Sequence, residues 1–293
     1  MIEALERALP SGTIRYSSKI VAIEEDGNIK ILHLSDGSII KTKVLIGCDG
    51  VNSVVAKWLG LKKPDYFGVS AARGLVEFSS GHDLKQNFFQ FFREGYRLGL
   101  LPCSEKIVYW FFLWSPSTEE KDVEESATKM RQYILNKLEN VPKEVKQIIE
   151  MTEFGKVVST PLRYRSPFSL LWGNISKRNV CVAGDALHPM TPYLGQGACL
   201  ALEDSVILAK YLSEAILEDH KGAQEEYDRI NQALDKYARA RRWRSIQLIA
   251  TAYVAGRIQQ NDGMVIKFLR EKFLSRWINM TSMKISDYDC GKI

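Results

Sequence analysis

Two short apolar runs, each followed at once by an aspartate and a helix-forming stretch, constrain this chain more than any other feature. Residues 44–48 run into Asp49 and Gly50, and residues 179–183 run into a Gly-Asp pair that ends at Asp185. A buried strand that leads through a tight turn into a helix is the unit of an open α/β sheet, and such sheets bind ligands beyond the carboxyl ends of their strands. The sequence therefore predicts an α/β fold with a ligand site beside both aspartates.

Short β segments and turn signals fill the region before the first aspartate. Asp-Gly pairs at 26–27 and 36–37 separate apolar stretches, which predicts antiparallel hairpins. Beyond the aspartate, Asn52 or Ser53 can cap a short helix that Gly60 closes. The predicted strands are 13–16, 20–24, 29–34, 38–41 and 44–48, and the predicted helix is 52–59.

The middle of the chain predicts a separate α+β lobe inserted into the α/β domain. Aromatic side chains crowd into residues 88–92 and 109–114, which predicts a sheet buried on both faces. The spacing of charged and apolar residues predicts helices over 121–138 and 143–151. The predicted division is 1–68 and 161–225 for the α/β domain, 69–160 for the lobe, and 226–293 for a helical C-terminal region.

The second aspartate stands in the more informative segment. The Asp185 carboxylate follows a strand and can accept strong hydrogen bonds from sugar-like hydroxyls. Pro189 and Pro192 restrict the backbone of the loop that follows, so its groups are held in place at little cost in entropy. These residues predict a pre-formed surface for a polar ligand.

A helix start with mostly small side chains follows the prolines. Gly195, Gln196, Gly197 and Ala198 open a helix predicted over 197–218, and the small residues let a ligand approach its free N–H groups. The positive end of the helix dipole would stabilise an anionic ring system there. The plainer alternative is that these residues only begin a helix and that the preceding aspartate only caps a turn.

Charge is distributed unevenly along the 293 residues. The net charge is +5, but residues 229–284 hold 12 Lys and Arg against 3 Asp and Glu. The run 237–244 could face nucleic acid or an anionic membrane surface, although a solvated helix face is the more usual meaning of such a run. Since no nucleic-acid module accompanies it, we expect no nucleic-acid partner and keep a peripheral membrane contact of the basic helices as an alternative.

Other chemistries find little support in the sequence. His188 lacks further ligands at suitable spacing, so we expect no metal, and no G-x-S-x-G elbow indicates a hydrolase. The five cysteines form no C-x-x-C pair, which favours a reducing, intracellular compartment, either the cytoplasm or an organelle such as the chloroplast. No apolar stretch reaches the roughly 20 residues of a membrane span.

The two aspartate segments resemble the motifs of one enzyme family. The segment VLIGCDGVNS and the stretch GDALHPMTPYLGQGACLALED, which ends at Asp204, are similar to the Asp-Gly and Gly-Asp motifs of the class A flavoprotein monooxygenases, the para-hydroxybenzoate hydroxylase-like family. The resemblance extends over nearly the whole chain. It is greatest for the branch that includes plant salicylate-hydroxylase-like monooxygenases and zeaxanthin epoxidase.

The resemblance implies a chemistry and a set of site residues. It implies an FAD cofactor, NAD(P)H as co-substrate, O2 as the source of oxygen, and a small aromatic or isoprenoid substrate that is hydroxylated or epoxidised. The flavin carries the chemistry in this family, so no side chain is assigned as a catalytic acid or base. Asp185 would bind the ribityl chain, the helix after Gly195 would point at the flavin pyrimidine edge, and Asp49 would lie near the pyrophosphate. The implied cofactor-binding residues are Gly184, Asp185, Pro192, Gly195, Gln196, Gly197, Ala198, Asp49 and Gly50.

The same resemblance assigns roles to the predicted segments. Residues 1–68 and 161–225 would be two parts of the FAD-binding domain, and residues 69–160 would bind the substrate. Arg73 is a candidate to line the substrate cavity, and an exposed strand arginine is an equal alternative.

Two departures from the family pattern matter. Ala56 replaces an arginine that usually follows Ser53 by three residues, and no G-x-G-x-x-G turn, which grips the ADP half of FAD, occurs in the 293 residues. The predicted domain is therefore an incomplete Rossmann-like domain. The alternative function is a truncated, catalytically inactive form with a binding or regulatory role, which flavin content and NAD(P)H oxidation would distinguish from an enzyme.

The missing turn leads to a prediction about residues 1–293 taken alone. Because the strands at 44–48 and 179–183 would lack neighbours, we expect this chain to bind FAD weakly or not at all and to expose a sheet edge. The flavin absorbance of the purified protein measures this. Stoichiometric yellow flavin in the sample would contradict the prediction.

Overall fold

A computed structural model describes residues 2–93, 95–117, 123, 126–217, 222–260, 263, 280, 284–285 and 287–291. The chain folds into two units. The first comprises Met1–Pro64, Arg165–Ala252 and Ser282–Ile293, and the second comprises Asp65–Tyr164 and Tyr253–Thr281. The predicted α/β class is confirmed, while the functional division into four segments stays a prediction.

Eleven strands form three sheets in the described residues. The ribbon β1-β2-β3 and the small sheet β10-β11-β4 belong to the first unit, and the five-stranded sheet β6-β7-β8-β5-β9 belongs to the second. The strands are β1 (Ile20–Asp26), β2 (Ile29–Leu34), β3 (Ile39–Thr42), β4 (Leu45–Gly47), β5 (Asp65–Glu77), β6 (Phe89–Arg93), β7 (Tyr96–Pro102), β8 (Ile107–Trp114), β9 (Val158–Tyr164), β10 (Ser176–Lys177) and β11 (Val180–Val182).

Seven α-helices occur in the same described ranges. They are α1 (Ile2–Arg7), α2 (Val54–Trp58), α3 (Ala127–Lys137), α4 (Lys143–Glu150), α5 (Pro167–Trp172), α6 (Gly197–Leu217) and α7 (Ala223–Gln260). Short 3-10 turns cover Phe154–Lys156, Gly184–Ala186 and Pro192–Leu194. None of the helices in the described part of the chain is both long enough and apolar enough to span a membrane.

The small sheet of the first unit places the two predicted ligand loops together. Strands β4 and β11 are parallel neighbours, with Gly47 opposite Val182, and the N–H of Ala183 donates to the carbonyl of Gly47 at 3.0 Å. Since parallel strands end at the same edge, Asp49 and Asp185 both follow that edge. Among the described strands, β4 stands at one side of this sheet.

Local signals account for most elements near the first loop. The hydroxyl of Ser53 accepts a hydrogen bond from the N–H of Ala56 at 2.8 Å, and Gly60 closes the helix with φ of +79°. The hairpins β1-β2 and β2-β3 are antiparallel as predicted, and Gly27 and Gly37 take positive φ in their turns. The predicted cap, helix and hairpins are therefore confirmed.

The predicted strand at 13–16 is wrong. The hydroxyl and the N–H of Thr13 both donate to the carbonyl of Pro10, at 2.8 and 3.2 Å, which holds a local turn. Ile14 and Tyr16 are exposed, so no apolar face is available for pairing. Side-chain hydrogen bonds to nearby backbone compete with extended structure, and here the turn is preferred.

The aromatic sheet of the second unit is fully buried on one face and partly buried on the other, so the predicted burial on both faces is confirmed only in part. Trp110, Phe112 and Trp114 of β8 are almost fully buried in a cluster with α3 and α4. On the opposite face Leu75 is 60% exposed and Val158 is 57% exposed. Successive strand residues point to opposite faces, and on the second face the side chain of Arg97 is buried where it binds Gln259 of α7.

The helical predictions agree with the structure where it describes the chain. The predicted helices 143–151 and 197–218 correspond to α4 and α6. The predicted helix 121–138 is observed as α3, and residues 118–122 and 124–125 lie outside the described residues. The helical C-terminal region begins with α7, and most of the chain after residue 260 also lies outside them.

The basic run 237–244 lies on α7 and is largely turned inward. Arg241 is fully buried, and Arg244 pairs with Glu203 at 2.7 Å. Arg242 donates to main-chain carbonyls at the end of α5 at 3.0 and 3.3 Å. The expectation of a solvated helix face is wrong for these three arginines, and their guanidinium groups are not available to a membrane surface.

Gly47 generates a prediction about packing in the first unit. A Cβ atom at this position would lie 2.5 Å from Cβ of Val55, which cannot move without shifting α2. We expect Gly47→Ala to lower the free energy of unfolding by about 2 kcal/mol, because extra atoms in a packed interior force backbone shifts. Urea denaturation measures this.

Gly155→Ala is the matched control. A Cβ at residue 155 would meet no atom within 4 Å, and its φ is not in the left-handed region. Its stability should stay within about 0.5 kcal/mol of the parent. Equal stability of both variants would contradict the close approach of β4 and α2.

Candidate cofactor site

The second aspartate lies on a tight turn at the end of β11. Gly184 takes φ of +58° and begins the 3-10 turn Gly184–Ala186, so the chain reverses direction directly after the buried strand. The Asp185 side chain is exposed and makes no hydrogen bond with the residues that the structure describes. Its carboxylate therefore keeps its full capacity to accept hydrogen bonds from a ligand.

A buried carboxylate holds this turn against α6. Oδ2 of Asp204 accepts hydrogen bonds from the N–H of Gly184 at 2.8 Å and from Nε2 of His188 at 2.7 Å. Oδ1 of the same carboxylate accepts from Nε of Arg241 at 2.7 Å. All three side chains, of residues 188, 204 and 241, are fully buried. The loop after β11 is therefore joined to α6 and α7 through one charged group.

The charges around Asp204 explain how a buried carboxylate stays ionised. Burial alone would raise the pKa of Asp204, but the hydrogen bond and charge of His188, the charge of Arg241 and the N–H of Gly184 together hold it below its ordinary value. Arg241 also pairs with Glu203 at 2.7 Å. The buried arginine is thus balanced by two neighbouring carboxylates.

A second buried cation supports the same turn from another side. Arg165 donates from Nε to the carbonyl of Leu187 at 2.8 Å and from Nη2 to the carbonyl of Ala186 at 2.9 Å, and its Nη1 binds the carbonyl of Lys62. Its own N–H donates to the carbonyl of Pro189 at 2.9 Å. Burial lowers the pKa of Arg165 to about 10, which leaves it charged at neutral pH. The carbonyl side of the turn is therefore fixed by a single guanidinium.

The helix start that the sequence singled out lies next to this turn. Gly195 takes φ of +66° after the short turn that Pro192 begins, and α6 starts at Gly197. Ala198 is exposed and Gln196 is half-buried. The first N–H groups of an α-helix have no acceptor within the helix, so this end can receive an anionic or carbonyl oxygen.

Contacts between the turn and α6 keep the two features on one part of the first unit. The position of a Cβ at Gly184 is 3.6 Å from Cβ of Ala201, in the first turns of α6. Met190, in the loop between them, packs against a cluster of Leu200, Leu248 and Ile285. The structure therefore brings the Asp185 turn and the start of α6 together.

The first aspartate is used differently. Asp49 accepts hydrogen bonds from the hydroxyl of Ser53 at 2.5 Å and from the N–H of Val54 at 2.7 Å. Gly50 follows with φ of +78°, which only glycine adopts easily. The Asp49 carboxylate thus stabilises the start of α2, and its predicted place near a pyrophosphate stays a prediction.

The predicted substrate residue lies in the second unit. Arg73 is exposed on β5, and its Nη2 donates to the hydroxyl of Thr160 on β9 at 2.8 Å. It belongs to the face of the sheet that α3 and α4 do not cover. Its role as a substrate contact stays a prediction.

The donor set of this site fits FAD. A carboxylate without a partner in the described chain suits the ribityl hydroxyls, and free helix amides suit the polar edge of the flavin ring. In the described ranges, no group of three His, Cys, Asp or Glu side chains could hold a metal ion. The exposed carboxylate and the helix start therefore favour an organic cofactor with hydroxyls and a polar ring.

Sequence reasoning missed the residues that hold the site. Asp204 and Arg241 were not singled out, and His188 was considered only as a metal ligand. A charged pair inside the apolar stretch of α6, Glu203 and Asp204, was the available signal, because buried carboxylates need partners. The partner, however, lies 37 residues further along the chain on α7.

Comparison with known proteins agrees with this geometry. The family model of the FAD binding domain, FAD_binding_3, matches residues 1–252. Monooxygenase 2 of Arabidopsis thaliana is 48% identical over 299 residues, which cover 100% of this chain and 73% of that protein. Monooxygenase 1 of the same plant is 33% identical, with 100% of this chain and 74% of that protein covered.

The fold is also similar to solved structures. The crystal structure of Klebsiella pneumoniae HpxO complexed with FAD and uric acid is 24% identical, with a TM-score of 0.79, and the match covers 99% of this chain and 71% of that one. A salicylate hydroxylase substrate complex matches with a TM-score of 0.66 at 22% identity, over 97% and 74% of the two chains. The chain belongs to the class A family of FAD-dependent monooxygenases, as its motifs predicted, and its cofactor is FAD.

Proposed function

We propose that this chain uses NAD(P)H and O2 to hydroxylate or epoxidise a small organic substrate, with FAD bound at the Asp185 turn and the start of α6. The observation that carries the proposal is the exposed Asp185 carboxylate, which has no partner in the described chain and lies on a turn packed against α6. A rigid, unsatisfied acceptor beside unsatisfied helix amides is an arrangement that a polar cofactor completes.

Each part of the site has a distinct task in this proposal. Asp185 would accept hydrogen bonds from the ribityl hydroxyls, and the free amides at the start of α6 would stabilise negative charge on the ring system. The N–H of Gly195 is not among them, because it donates to the carbonyl of Pro192 at 3.0 Å. Gly184 and Pro192 would set the shape of the loop, and Gln196 would lie beside the ring. The turn of Asp49 and Gly50 would lie near the pyrophosphate.

The chemistry itself belongs to the cofactor. When bound, FAD takes electrons from NAD(P)H and in its reduced form activates O2 for transfer of one oxygen atom to the substrate. The chain's own residues bind and orient the ring, and no side chain is assigned as an acid or base. Arg73 is the proposed substrate contact.

A small aromatic compound is the favoured substrate class. The HpxO structure holds uric acid, a small heteroaromatic compound, and the salicylate hydroxylase structure holds its substrate. These matches support an aromatic ring for this chain, and an isoprenoid stays the second candidate.

Replacement of Asp185 tests the cofactor site. We expect Asp185→Ala to weaken FAD binding by about tenfold, since it removes a charged acceptor of ribityl hydroxyls, while the fold is retained because the side chain has no partner in the described chain. Because weak binding is expected in the absence of a G-x-G-x-x-G turn, FAD fluorescence is titrated with protein up to high concentration to measure the dissociation constant. The control is Asp235→Ala, an exposed carboxylate on α7 that accepts a hydrogen bond from the hydroxyl of Ser176 and has no other side-chain partner in the described ranges. Equal affinity of the two variants would place the cofactor elsewhere.

Isotope labelling tests the reaction. With FAD, NAD(P)H and a panel of small aromatic and isoprenoid compounds, we expect one compound to gain a single oxygen atom from 18O2, as read by mass spectrometry. Incubation without the protein is the control for spontaneous oxidation. NAD(P)H consumption without labelled product for any compound would contradict the proposed monooxygenation.

A further inference from the structure

We propose that Asp204 is a positioning residue for the cofactor site, because it fixes where the Asp185 turn lies relative to the start of α6. This inference rests on the proposed function, since it concerns the placing of the same two groups. Asp204 does not itself belong to the set that would contact the cofactor, because its carboxylate is fully buried.

The contacts of Asp204 place it between the two halves of the site. It lies on α6, seven residues after the first helical residue, Gly197, and is therefore rigidly related to the free amides of that helix. Its Oδ2 atom accepts from the N–H of Gly184, the residue directly before Asp185. One hydrogen bond of 2.8 Å thus connects the helix to the turn that carries the ligand-binding carboxylate.

The other two partners of Asp204 hold this carboxylate in place. His188 approaches the same Oδ2 atom from the loop, and Arg241 approaches Oδ1 from α7. The three donors come from the turn, the loop and α7, and they occupy both oxygens. The carboxylate therefore has one orientation, and the position of the turn follows from it.

Only an acceptor at both oxygens satisfies these partners. Three groups face Asp204: the N–H of Gly184, an imidazole nitrogen of His188 and the guanidinium of Arg241. The imidazole belongs to the loop and the guanidinium to α7, so neither can turn away from Asp204 unless the loop or α7 moves. An amide in this position would direct its NH2 group at one of the donors, because an amide offers only one acceptor oxygen. The guanidinium of Arg241 can only donate, whereas the imidazole of His188 can accept in its other tautomer. Asp204→Asn should therefore keep its oxygen towards Arg241 and release the N–H of Gly184.

Glu203 supplies a matched control on the same helix. Its carboxylate pairs with Arg241 and Arg244, each at 2.7 Å, and is largely buried. It makes no hydrogen bond to the Asp185 turn or to His188 in the described chain. Glu203→Gln therefore removes a charge of the same network and leaves the turn attached.

A double-mutant cycle on the full chain tests the proposal. The dissociation constant of FAD is measured for the parent, Asp204→Asn, Asp185→Ala and the double variant, together with Glu203→Gln. We expect Asp204→Asn to weaken binding by about tenfold or more, since a charge-assisted hydrogen bond is lost, and Glu203→Gln to change it by less than about twofold. In the Asp185→Ala background, Asp204→Asn should have little further effect, because the group that it positions is gone.

Hydrogen exchange of the FAD-free protein gives a second measurement. Peptides that contain Gly184 should exchange faster in Asp204→Asn than in the parent and in Glu203→Gln, because the Gly184 N–H has lost its acceptor. If Asp204→Asn does not fold, His188→Phe keeps the size of a buried ring, removes one donor to Oδ2, and is taken through the same cycle with Asp185→Ala. An equal exchange rate at Gly184 in folded Asp204→Asn and in the parent would contradict the hydrogen bond as the link.

The outcomes separate this inference from the proposed function. If Asp204→Asn weakens FAD binding by the same factor with and without Asp185, the residue only supports the fold and the positioning role is overturned. If Asp185→Ala alone leaves the affinity unchanged, the cofactor site is placed wrongly and the positioning role is overturned with it. Strong coupling between the two residues, with unchanged binding by Glu203→Gln, supports the proposal.

Discussion

A single buried carboxylate, Asp204, connects the parts of the first unit that matter for function. Taking a carboxylate out of water costs several kcal/mol unless hydrogen bonds and opposite charges replace the water. Here the N–H of Gly184, the ring of His188 and the guanidinium of Arg241 do so, and they keep the pKa of Asp204 low although it is buried. Loss of any of the three would leave the buried Asp204 carboxylate without part of its hydrogen bonding or charge balance. The turn, the loop, α6 and α7 are therefore held together.

The same network explains why the basic C-terminal sequence does not form a positively charged surface at Arg241 and Arg244. Counted along the chain, the run 237–244 is a cluster of positive charge that a solvent-facing helix or an anionic surface would explain. In the folded chain Arg241 and Arg244 bind Glu203 and Asp204, and Arg242 binds carbonyls at the end of α5. Arginine suits such positions because its planar donors satisfy several acceptors at once. A local charge count cannot detect this, since the partners lie on other elements.

Elements with a local cause were predictable from the sequence, and those with a distant cause were not. The hairpins follow from Asp-Gly turns, and α2 follows from the cap at Ser53 and the glycine that ends it. The strand predicted at 13–16 failed because a side-chain turn at Thr13 replaced it. The aromatic sheet was expected to be buried on both faces, but α3 and α4 cover one face fully and the other face is only partly buried, which composition cannot show. The candidate site shows the same limit. Strand, turn and helix signals were enough to place Asp49 and Asp185 at one sheet edge, whereas Arg165 and Asp204, which hold the turn, act across 20 or more residues.

Asp49 and Asp185 occupy equivalent positions, each just beyond the end of one of two parallel neighbouring strands. They differ in the segment that connects each of them to the next helix. After Asp49 the helix α2 starts within five residues, so the carboxylate reaches its first amides and is used to cap them. After Asp185 a loop with two prolines separates the strand from α6, which keeps the carboxylate from the helix amides. Another carboxylate, Asp204, then ties the turn to the helix, and both the acceptor of Asp185 and the donors of α6 stay free. The length of the intervening loop therefore decides which strand end is satisfied internally and which can receive a cofactor.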